Sequence, residues 1–454
     1  MVVFNEDAAF RQLYGPKANV TKSPDRYAAT SASRNPNTVS AIHKHDVDVK
    51  RRAHAQMWSH ANLKQVEPKI LPRISTFLDI IGLDERGASP AASEWGAPQD
   101  MNWRSIHLVM DITTDLTYSV SAETQTSESN RWIPHAFIVA SWRGTAASFQ
   151  PLLYKLHLDK IFLARAYKQL LQLGLFSSQR QHEWKSPEKS TTGVYQDLTA
   201  AMKRNSFSKK DLWVESYLMS GVGKWFQHLR ESHSDVHRCD SPRMRLGACI
   251  CTTCHPPHSI DVDADAELSR HRDQWIYAKQ PILLPSPLSD VYKNVVAEVR
   301  GKFAEGEDIV LGPDLQSCKY LVACIDETLR LCPVLANALF RKVQPGGQII
   351  DGEIFPEGTD LGASIYAVHM NEKYFPDPHV FDPNRFLGEF ERSTGKVPPG
   401  YFPFSTGPRA CPGFRLVFAK FSLVIARTLF RYDMRLAPDA PCCGSVTDRE
   451  TCSK

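Results

Sequence analysis

Residues 404–414 read FSTGPRACPGF and set Cys411 between an arginine and a Pro-Gly pair. Proline suits a first helical position because its missing N–H costs nothing there, so a helix that begins at Pro412 would place Cys411 at or beside its N-cap. The free N–H groups and the dipole of a helix start favour a thiolate over a thiol. Arg409 adds a fixed positive charge suited to a carboxylate, and Gly407 permits a turn or a close backbone approach. Local chemistry alone leaves four roles open for this cysteine: a redox sensor, a nucleophile, a metal ligand or a small buried hydrophobe.

The composition indicates a globular protein, since 454 residues give ample length for a large core. The 54 basic and 50 acidic residues give a formal net charge of +4 without a long basic block, so no nucleic-acid partner is expected. No stretch approaches the roughly eighteen uninterrupted apolar residues of a membrane-spanning helix, and the first residues lack the pattern of a secretory signal. Eleven unevenly spaced cysteines are typical of reduced thiols rather than of a disulfide framework.

Hydrophobic periodicity predicts a mainly α fold with a small β region. The predicted helices lie at residues 50–71, 111–120, 149–175, 317–331 and from 412 toward 432. Asp351-Gly352 between the short apolar runs Gln348–Ile350 and Glu353–Phe355 predicts a tight hairpin. Six prolines between residues 376 and 403 predict an irregular meander, because each fixes φ and removes a backbone donor.

Three motifs occur in order over about 100 residues in the carboxyl-terminal part of the chain. Residues 404–413 fit F-x-x-G-x-R-x-C-x-G, which resembles the heme-binding loop of the cytochrome P-450 family. Glu327 and Arg330 form an E-x-x-R pair on a predicted helix, and Arg385 lies in FDPNRF, which is similar to the later arginine-bearing segment of that family. An E-x-x-R pair alone is common on helix surfaces, so the specificity comes from the three motifs together.

This resemblance implies roles for the residues of the loop and its surroundings. Cys411 would be the axial thiolate ligand of the iron of heme b, donating electron density that favours O–O cleavage. Phe404 would pack beside the sulfur, and Gly407 would let the backbone approach closely. Arg409 and Arg341 would each pair with a heme propionate.

The resemblance also implies a structural role for the charged motifs outside the loop. Glu327, Arg330 and Arg385 would form a buried charge triad that holds the meander under the heme. Either Arg51 or Arg52 would reach a propionate from an early helix, although a solvated helix face explains both equally well. Beyond the iron ligand, no catalytic residue is assigned.

Two features depart from the family pattern. Pro412 lacks the N–H with which many family members donate to the sulfur, so we hypothesise a more electron-rich thiolate. Residues 231–287 lack the long apolar helix, with its acid and threonine, that covers the oxygen-binding face in the family. Residues 111–114 mimic that acid and alcohol but lie too early in the chain.

The atypical segment contains Cys251-Thr252-Thr253-Cys254-His255, which matches the C-x-x-C-H attachment motif of c-type heme. A c-type heme would require an oxidising compartment, and the chain shows no export signal. A zinc site with the neighbouring Cys239, Cys249 and His258 is a second interpretation. An irregular loop without metal and an inaccurate gene reading, such as a retained intron, are the others.

We therefore expect one cytochrome P-450 heme-thiolate domain over residues 1–454, with an atypical insert at 231–287 and a tail at 439–454. The resemblance to early helices of fungal members at residues 2–29 and 50–68 begins well inside the usual family sequence, so the N-terminal membrane anchor is expected to be absent.

The leading functional hypothesis is a heme-thiolate monooxygenase that inserts one oxygen atom from O2 into a lipophilic small molecule of fungal secondary metabolism. An NADPH-cytochrome reductase would be its partner. The family resemblance implies the surface of the endoplasmic reticulum membrane, whereas a chain complete as written would be cytoplasmic. A heme-thiolate isomerase or dehydratase and a noncatalytic heme-binding remnant are the alternatives, because the acid and threonine pair is missing.

Overall fold

The computed structural model describes residues 1–30, 35–82, 100–158, 160, 164–184, 199–200, 204, 207–221 and 290–434. The helices of this part are α1 (Asp7–Tyr14), α2 (Pro24–Tyr27), α3 (Lys44–Met57), α4 (His60–Ile81), α5 (Met101–Tyr118), α6 (Trp132–Phe149), α7 (Pro151–Lys155), α8 (Ala164–Trp184), α9 (Lys209–Gly221), α10 (Asp290–Lys302), α11 (Pro313–Gln316), α12 (Lys319–Leu331), α13 (Ile365–His369) and α14 (Phe414–Arg431). The strands are β1 (Val2–Phe4), β2 (Val20–Lys22), β3 (Arg341–Val343), β4 (Gln348–Ile350), β5 (Glu353–Phe355) and β6 (Asp360–Ala363). The predicted mainly α fold with a small β region is confirmed.

The predicted insert at residues 231–287, with its C-x-x-C-H motif, and the predicted tail at residues 439–454 lie outside the described residues. Within the described ranges, no helix is both long and apolar enough to cross a membrane. The four cysteines described are all free thiols, as the uneven cysteine spacing predicted: Cys318, Cys324, Cys332 and Cys411.

The larger sheet joins the two ends of the chain. Its strand order is β1-β6-β3-β2, with β1 parallel to β6 and with β3 antiparallel to both β6 and β2. The β2–β3 register places Lys22 directly opposite Arg341. Strand pairing therefore brings together two basic side chains that are far apart in sequence.

The predicted hairpin is present at the predicted residues. β4 and β5 pair antiparallel, with Ile350 opposite Glu353. Asp351 and Gly352 both have left-handed backbones, with φ of 52° and 82°. Two such residues in a two-residue loop form the turn whose twist matches that of the strands, which explains the Asp-Gly signal.

The core lies where α12 packs against α10 and α14. α12 begins two residues later than predicted and buries the predicted stripe, including Leu321, Ile325 and Leu329. The helix ends at Leu331, and its C-cap residue Cys332 directly precedes Pro333. The residue before a proline is disfavoured in the helical conformation.

Two predicted helices differ in their bounds. The segment 111–120 is the end of the longer α5. The segment 149–175 spans the end of α6, the short α7 and the first part of α8, because Pro151 starts a new helix. The sequence pattern did not predict α6, because the apolar side chains of this helix lie on all its sides instead of forming one stripe.

Lys420 lies on the buried face of α14, with 3% of its surface exposed. Burial lowers the pKa of its ammonium group to about 8. Among the described residues, no hydrogen bond or ion pair reaches this group. Its positive charge therefore destabilises the folded chain at neutral pH.

We expect Lys420→Met to raise the free energy of unfolding at pH 7 by about 3 kcal/mol, since each pKa unit corresponds to about 1.4 kcal/mol. Urea unfolding measures this change. The control is Lys293→Met, because Lys293 is exposed on α10, and it should change stability by less than about 0.5 kcal/mol. Equal stability of wild type and Lys420→Met would contradict the expectation.

Candidate functional site

The loop that carries Cys411 folds back on itself before α14. The Cys411 N–H donates to the carbonyl oxygen of Phe404 at 2.8 Å. Ser405 and Gly407 have φ of 60° and 69°, so the backbone turns sharply between them. A Cβ atom on Gly407 would lie 2.1 Å from the carbonyl oxygen of Tyr14. Only glycine therefore allows this loop to close against α1.

The predicted helix start at Pro412 is wrong. α14 begins at Phe414, with Gly413 as its N-cap residue, and a turn through Pro412 and Gly413 separates Cys411 from the helix. This turn directs the Gly413 N–H to the Cys411 sulfur, where its hydrogen bond lowers the pKa of the thiol. The prediction failed because it relied on the preference of proline for the first helical position, which the turn overrides.

The Cys411 side chain presents exposed surface although protein atoms surround most of it. Burial raises the pKa of its thiol, while the Gly413 N–H and the positive charge of Arg51 lower it. Phe404 packs near the loop against Phe414 and Phe418, with ring centroids 6.2 and 6.0 Å apart. The sulfur is therefore on an exposed residue of an aromatic-rich loop, within the electrostatic reach of one cation, Arg51.

Four basic side chains from different elements converge near this cysteine. Lys22 is on β2, Arg51 on α3, Arg341 on β3 and Arg409 in the cysteine loop. Burial lowers the pKa of Lys22 well below its usual range, and the charges of Arg341, Arg409 and Arg51 lower it further. Burial likewise lowers the pKa of Arg409, with Arg341 and Arg51 adding to the effect.

Three of these four cations bond to neutral oxygen atoms. Arg409 donates to the carbonyls of Ala41 and Ile42, and Lys22 donates to that of Thr38. Arg341 donates to the hydroxyl of Tyr27 and to two backbone carbonyls.

In the described part of the chain, no carboxylate forms an ion pair with any of the four. Asp48 and Glu215 act on them only at longer range. Such a cluster is suited to a ligand that carries carboxylates. A thiol beside it matches the chemistry of heme, with its iron and two propionates, so the residues fit this group.

The sequence left Arg51 and Arg52 as alternatives for this cluster. Arg51 is half-buried and lies close enough to Cys411 for each to shift the pKa of the other. Arg52 is exposed and donates to the carbonyl of Asp48 on its own helix. The structure therefore brings Arg51, and not Arg52, to the site.

Glu327, Arg330 and Arg385, the charged residues of the two motifs outside the cysteine loop, lie together in the structure. Arg330 binds Glu327 through two parallel hydrogen bonds of 2.7 Å, and both side chains are fully buried. Arg385 lies 3.6 Å from the same carboxylate, and the Asp382 N–H donates to it at 3.0 Å. Burial raises the pKa of Glu327, whereas Arg330, the Asp382 amide and Arg385 lower it. The predicted triad is thus present as a geometric unit.

His369 connects this triad to the cysteine loop and was not found from the sequence. Its Nδ1–H donates to the carbonyl of Arg330 at 3.0 Å, and its Nε2 accepts from the Phe402 N–H at 2.9 Å. These partners fix one neutral tautomer, because a carbonyl can only accept and an amide N–H can only donate. Full burial lowers the pKa of His369 to about 3.

Asp111 was rejected as an acid of the oxygen site because of its position in the chain. In the structure it stabilises the loop that contains Thr124 and Gln125. Its carboxylate accepts from the Thr124 N–H and hydroxyl and from the Gln125 N–H, at 2.7, 2.8 and 3.1 Å. Lys22 is a further site residue that the sequence did not indicate. The β2–β3 register brings Lys22 to the site, and this register is visible only in the folded chain.

Comparison with known proteins agrees with this geometry. Residues 289–444 match the family model "Cytochrome P450". The cytochrome P450 monooxygenase poxM of Penicillium oxalicum is 28% identical over 96% of this chain and 76% of its own length. A cytochrome P450 monooxygenase of Gibberella zeae is 28% identical over 95% of this chain and 88% of its own length. The cytochrome P450 monooxygenase lcsN of Purpureocillium lilacinum is 42% identical over 33% of this chain and 45% of its own length.

The fold and the motifs therefore define a heme-thiolate enzyme. Over residues 289–444 the chain matches the cytochrome P450 family, and the similar fungal proteins named above are cytochrome P450 monooxygenases. Members bind heme through a cysteine thiolate, and they generally use reductase partners and lipophilic substrates. The comparisons do not favour the isomerase or the noncatalytic remnant.

We expect Glu327→Gln to lower the free energy of unfolding by about 3–5 kcal/mol, because Arg330 would remain buried without a counter-charge. Urea unfolding at pH 7 measures this loss. Glu389→Gln is the matched control, because it removes the same charge from an exposed pair with Lys396. The control should lose at most about 1 kcal/mol, and similar losses in both variants would contradict a special role for the triad.

The buried His369 should make stability depend on pH. An unfolded histidine titrates near its usual pKa of about 6.5, so below that pH the unfolded chain binds a proton that the folded chain excludes. The contribution of His369 to stability is therefore complete above about pH 6.5 and declines as the pH falls toward about 3.

Between pH 7 and pH 5, we expect the wild type to lose about 2 kcal/mol more stability than His369→Gln, whose amide oxygen can still accept from Phe402. Urea unfolding at the two pH values measures the difference. His45→Gln, which removes an exposed imidazole, should keep the wild-type dependence. An unchanged pH dependence in His369→Gln would show that the prediction is wrong.

Proposed function

We propose that Cys411 is the thiolate ligand of heme iron in a monooxygenase that inserts one oxygen atom from O2 into a lipophilic small molecule. The observation that carries this proposal is the set of buried or half-buried cations Lys22, Arg51, Arg341 and Arg409, none of which forms an ion pair with a carboxylate of the described chain. Like charges directly opposite each other on paired strands destabilise a sheet, as do Lys22 and Arg341 here. Two ligand carboxylates would neutralise this repulsion.

When bound, heme supplies the iron at which O2 is reduced and its bond cleaved. The Cys411 thiolate would hold that iron and supply the electron density that favours O–O cleavage. Phe404 packs beside the sulfur and limits its contact with water. Gly407 lets the loop close against α1. Arg409 of the same loop would pair with a propionate.

The charged residues under the loop act as positioning residues. Glu327 and Arg330 hold the segment around Asp382, and His369 bonds both Arg330 and Phe402. Two buried hydrogen bonds therefore connect the triad to the start of the loop. This arrangement would keep the sulfur at a fixed place before the cofactor binds.

We further propose an NADPH-cytochrome reductase as the electron donor and a fungal secondary metabolite as the substrate, by analogy with the fungal relatives. The surface of the endoplasmic reticulum membrane is the proposed location, on the basis of the family resemblance alone. NADPH- and reductase-dependent O2 consumption with formation of an oxygenated product tests the reaction. Rearrangement of a peroxide without reductase would instead indicate an isomerase.

We expect the reduced, carbon-monoxide-bound wild type to show the thiolate-type absorption band and Cys411→Ser to lack it, because a serine hydroxyl cannot replace the thiolate. Cys332→Ser is the matched control and should keep the band, since Cys332 lies at the end of α12. Heme content of each variant is measured in parallel.

Absence of the band from the wild type, with heme bound, would overturn the assignment of Cys411. Loss of heme from Arg341→Gln and Arg409→Gln, but not from Arg52→Gln, would support the proposed propionate partners. Equal heme content in all three would count against them.

A further inference from the structure

The indole N–H of Trp58 lies near Cys411 and has no assigned role. Trp58 is 5% exposed, and among the described residues no hydrogen bond of its Nε1 is found. An indole N–H can only donate, so this group is available to a further acceptor.

Gly413 locates the indole N–H relative to the sulfur. A Cβ atom built on Gly413 would lie 3.8 Å from the Cys411 Sγ and 4.0 Å from the Trp58 Nε1. Both atoms therefore border the same small space, which is about the size of a methyl group. Apart from Gly413 itself and its two chain neighbours, no other heavy atom of the described residues lies within 4 Å of that point.

The backbone holds Trp58 firmly at this place. It directly follows α3, and its N–H donates to the His54 carbonyl at 3.1 Å. The next residue, Ser59, caps α4 by accepting from the Asn62 N–H. The indole also packs in the main hydrophobic core. A short junction between two helices therefore fixes its direction.

The loop itself offers the sulfur few donors. Pro412 has no N–H, and the Gly413 N–H is the backbone donor that reaches the thiol. A thiolate has lone pairs for further hydrogen bonds, and donors to a metal-bound sulfur reduce its electron donation. Trp58 can supply such a donor from outside the loop.

We propose that the Trp58 indole N–H donates a hydrogen bond to the Cys411 thiolate in the heme-bound protein and thereby raises the reduction potential of the iron. This inference rests on the proposed ligation of heme by Cys411. The bond stabilises negative charge on the sulfur, and so favours Fe(II) over Fe(III) relative to a sulfur without it.

Two variants test the bond by different means. Trp58→Phe removes the N–H and keeps an aromatic ring. Gly413→Ala keeps the indole but puts a methyl group against both atoms, 3.8 Å from the sulfur and 4.0 Å from the Nε1, at a φ of −88° that alanine adopts readily. The control Trp213→Phe removes an exposed indole that donates to Ser178 elsewhere.

The measurements are the midpoint potential of the heme and the iron–sulfur stretching frequency by resonance Raman spectroscopy. At a fixed potential we expect Trp58→Phe to change the Fe(II)/Fe(III) ratio about tenfold toward Fe(III), which equals about 59 mV for a one-electron couple. Gly413→Ala should shift the potential in the same direction. Both should raise the stretching frequency, because the iron–sulfur bond strengthens when the donor is lost.

The carbon monoxide spectrum separates this inference from the assignment of the ligand. Retention of the thiolate-type band with unchanged potentials in Trp58→Phe and Gly413→Ala would overturn the role of Trp58 and leave Cys411 as ligand. Absence of the band from wild type would overturn both. If Trp58→Phe fails to fold, the potential of Gly413→Ala decides alone, and an unchanged value refutes the proposal.

Discussion

The bidentate pair of Glu327 and Arg330 is the interaction on which the geometry of the site depends. Both side chains are fully buried, so neither can lose the other without leaving an uncompensated charge. Hydrogen bonds continue from this pair to Asp382 in one direction and to His369 in the other. His369 then accepts from Phe402, two residues before the loop. The loop is thus positioned by buried contacts from α12 rather than by its own conformational preferences.

The cationic cluster acts against the stability of the folded chain. Lys22 and Arg341 are buried directly opposite each other, and Arg51 and Arg409 add two more positive charges nearby. Coulomb repulsion between them is strong because burial lowers the effective dielectric constant. A ligand that binds only the folded state stabilises it in proportion to its affinity. Cofactor binding and folding are therefore coupled at this site, because the four cations that destabilise the folded chain would also bind the carboxylates of the cofactor.

The sequence predicted those parts of the site that depend on local chemistry. The Asp351-Gly352 turn, the stripe of α12 and the cysteine loop were all visible as short patterns. Lys22 was not, because its proximity to Arg341 arises from strand pairing between the two ends of the chain. His369 was not visible either, since nothing in a single histidine indicates that both ring nitrogens meet backbone groups. The helix start at Pro412 was misplaced because a turn competed with a helical preference.

α3 links the cationic cluster to the sulfur. Arg51 lies on this helix, and Trp58 directly follows its last residue. Trp58 is seven positions after Arg51, so the two side chains fall on one face, two turns apart. On the proposed role of Trp58, this face presents both a positive charge and an N–H donor to Cys411. Both stabilise negative charge on the sulfur and so reduce its donation to the iron. The donor that Pro412 cannot supply would then be replaced from a different helix, and the electron density of the thiolate would depend on the packing of α3 against the loop.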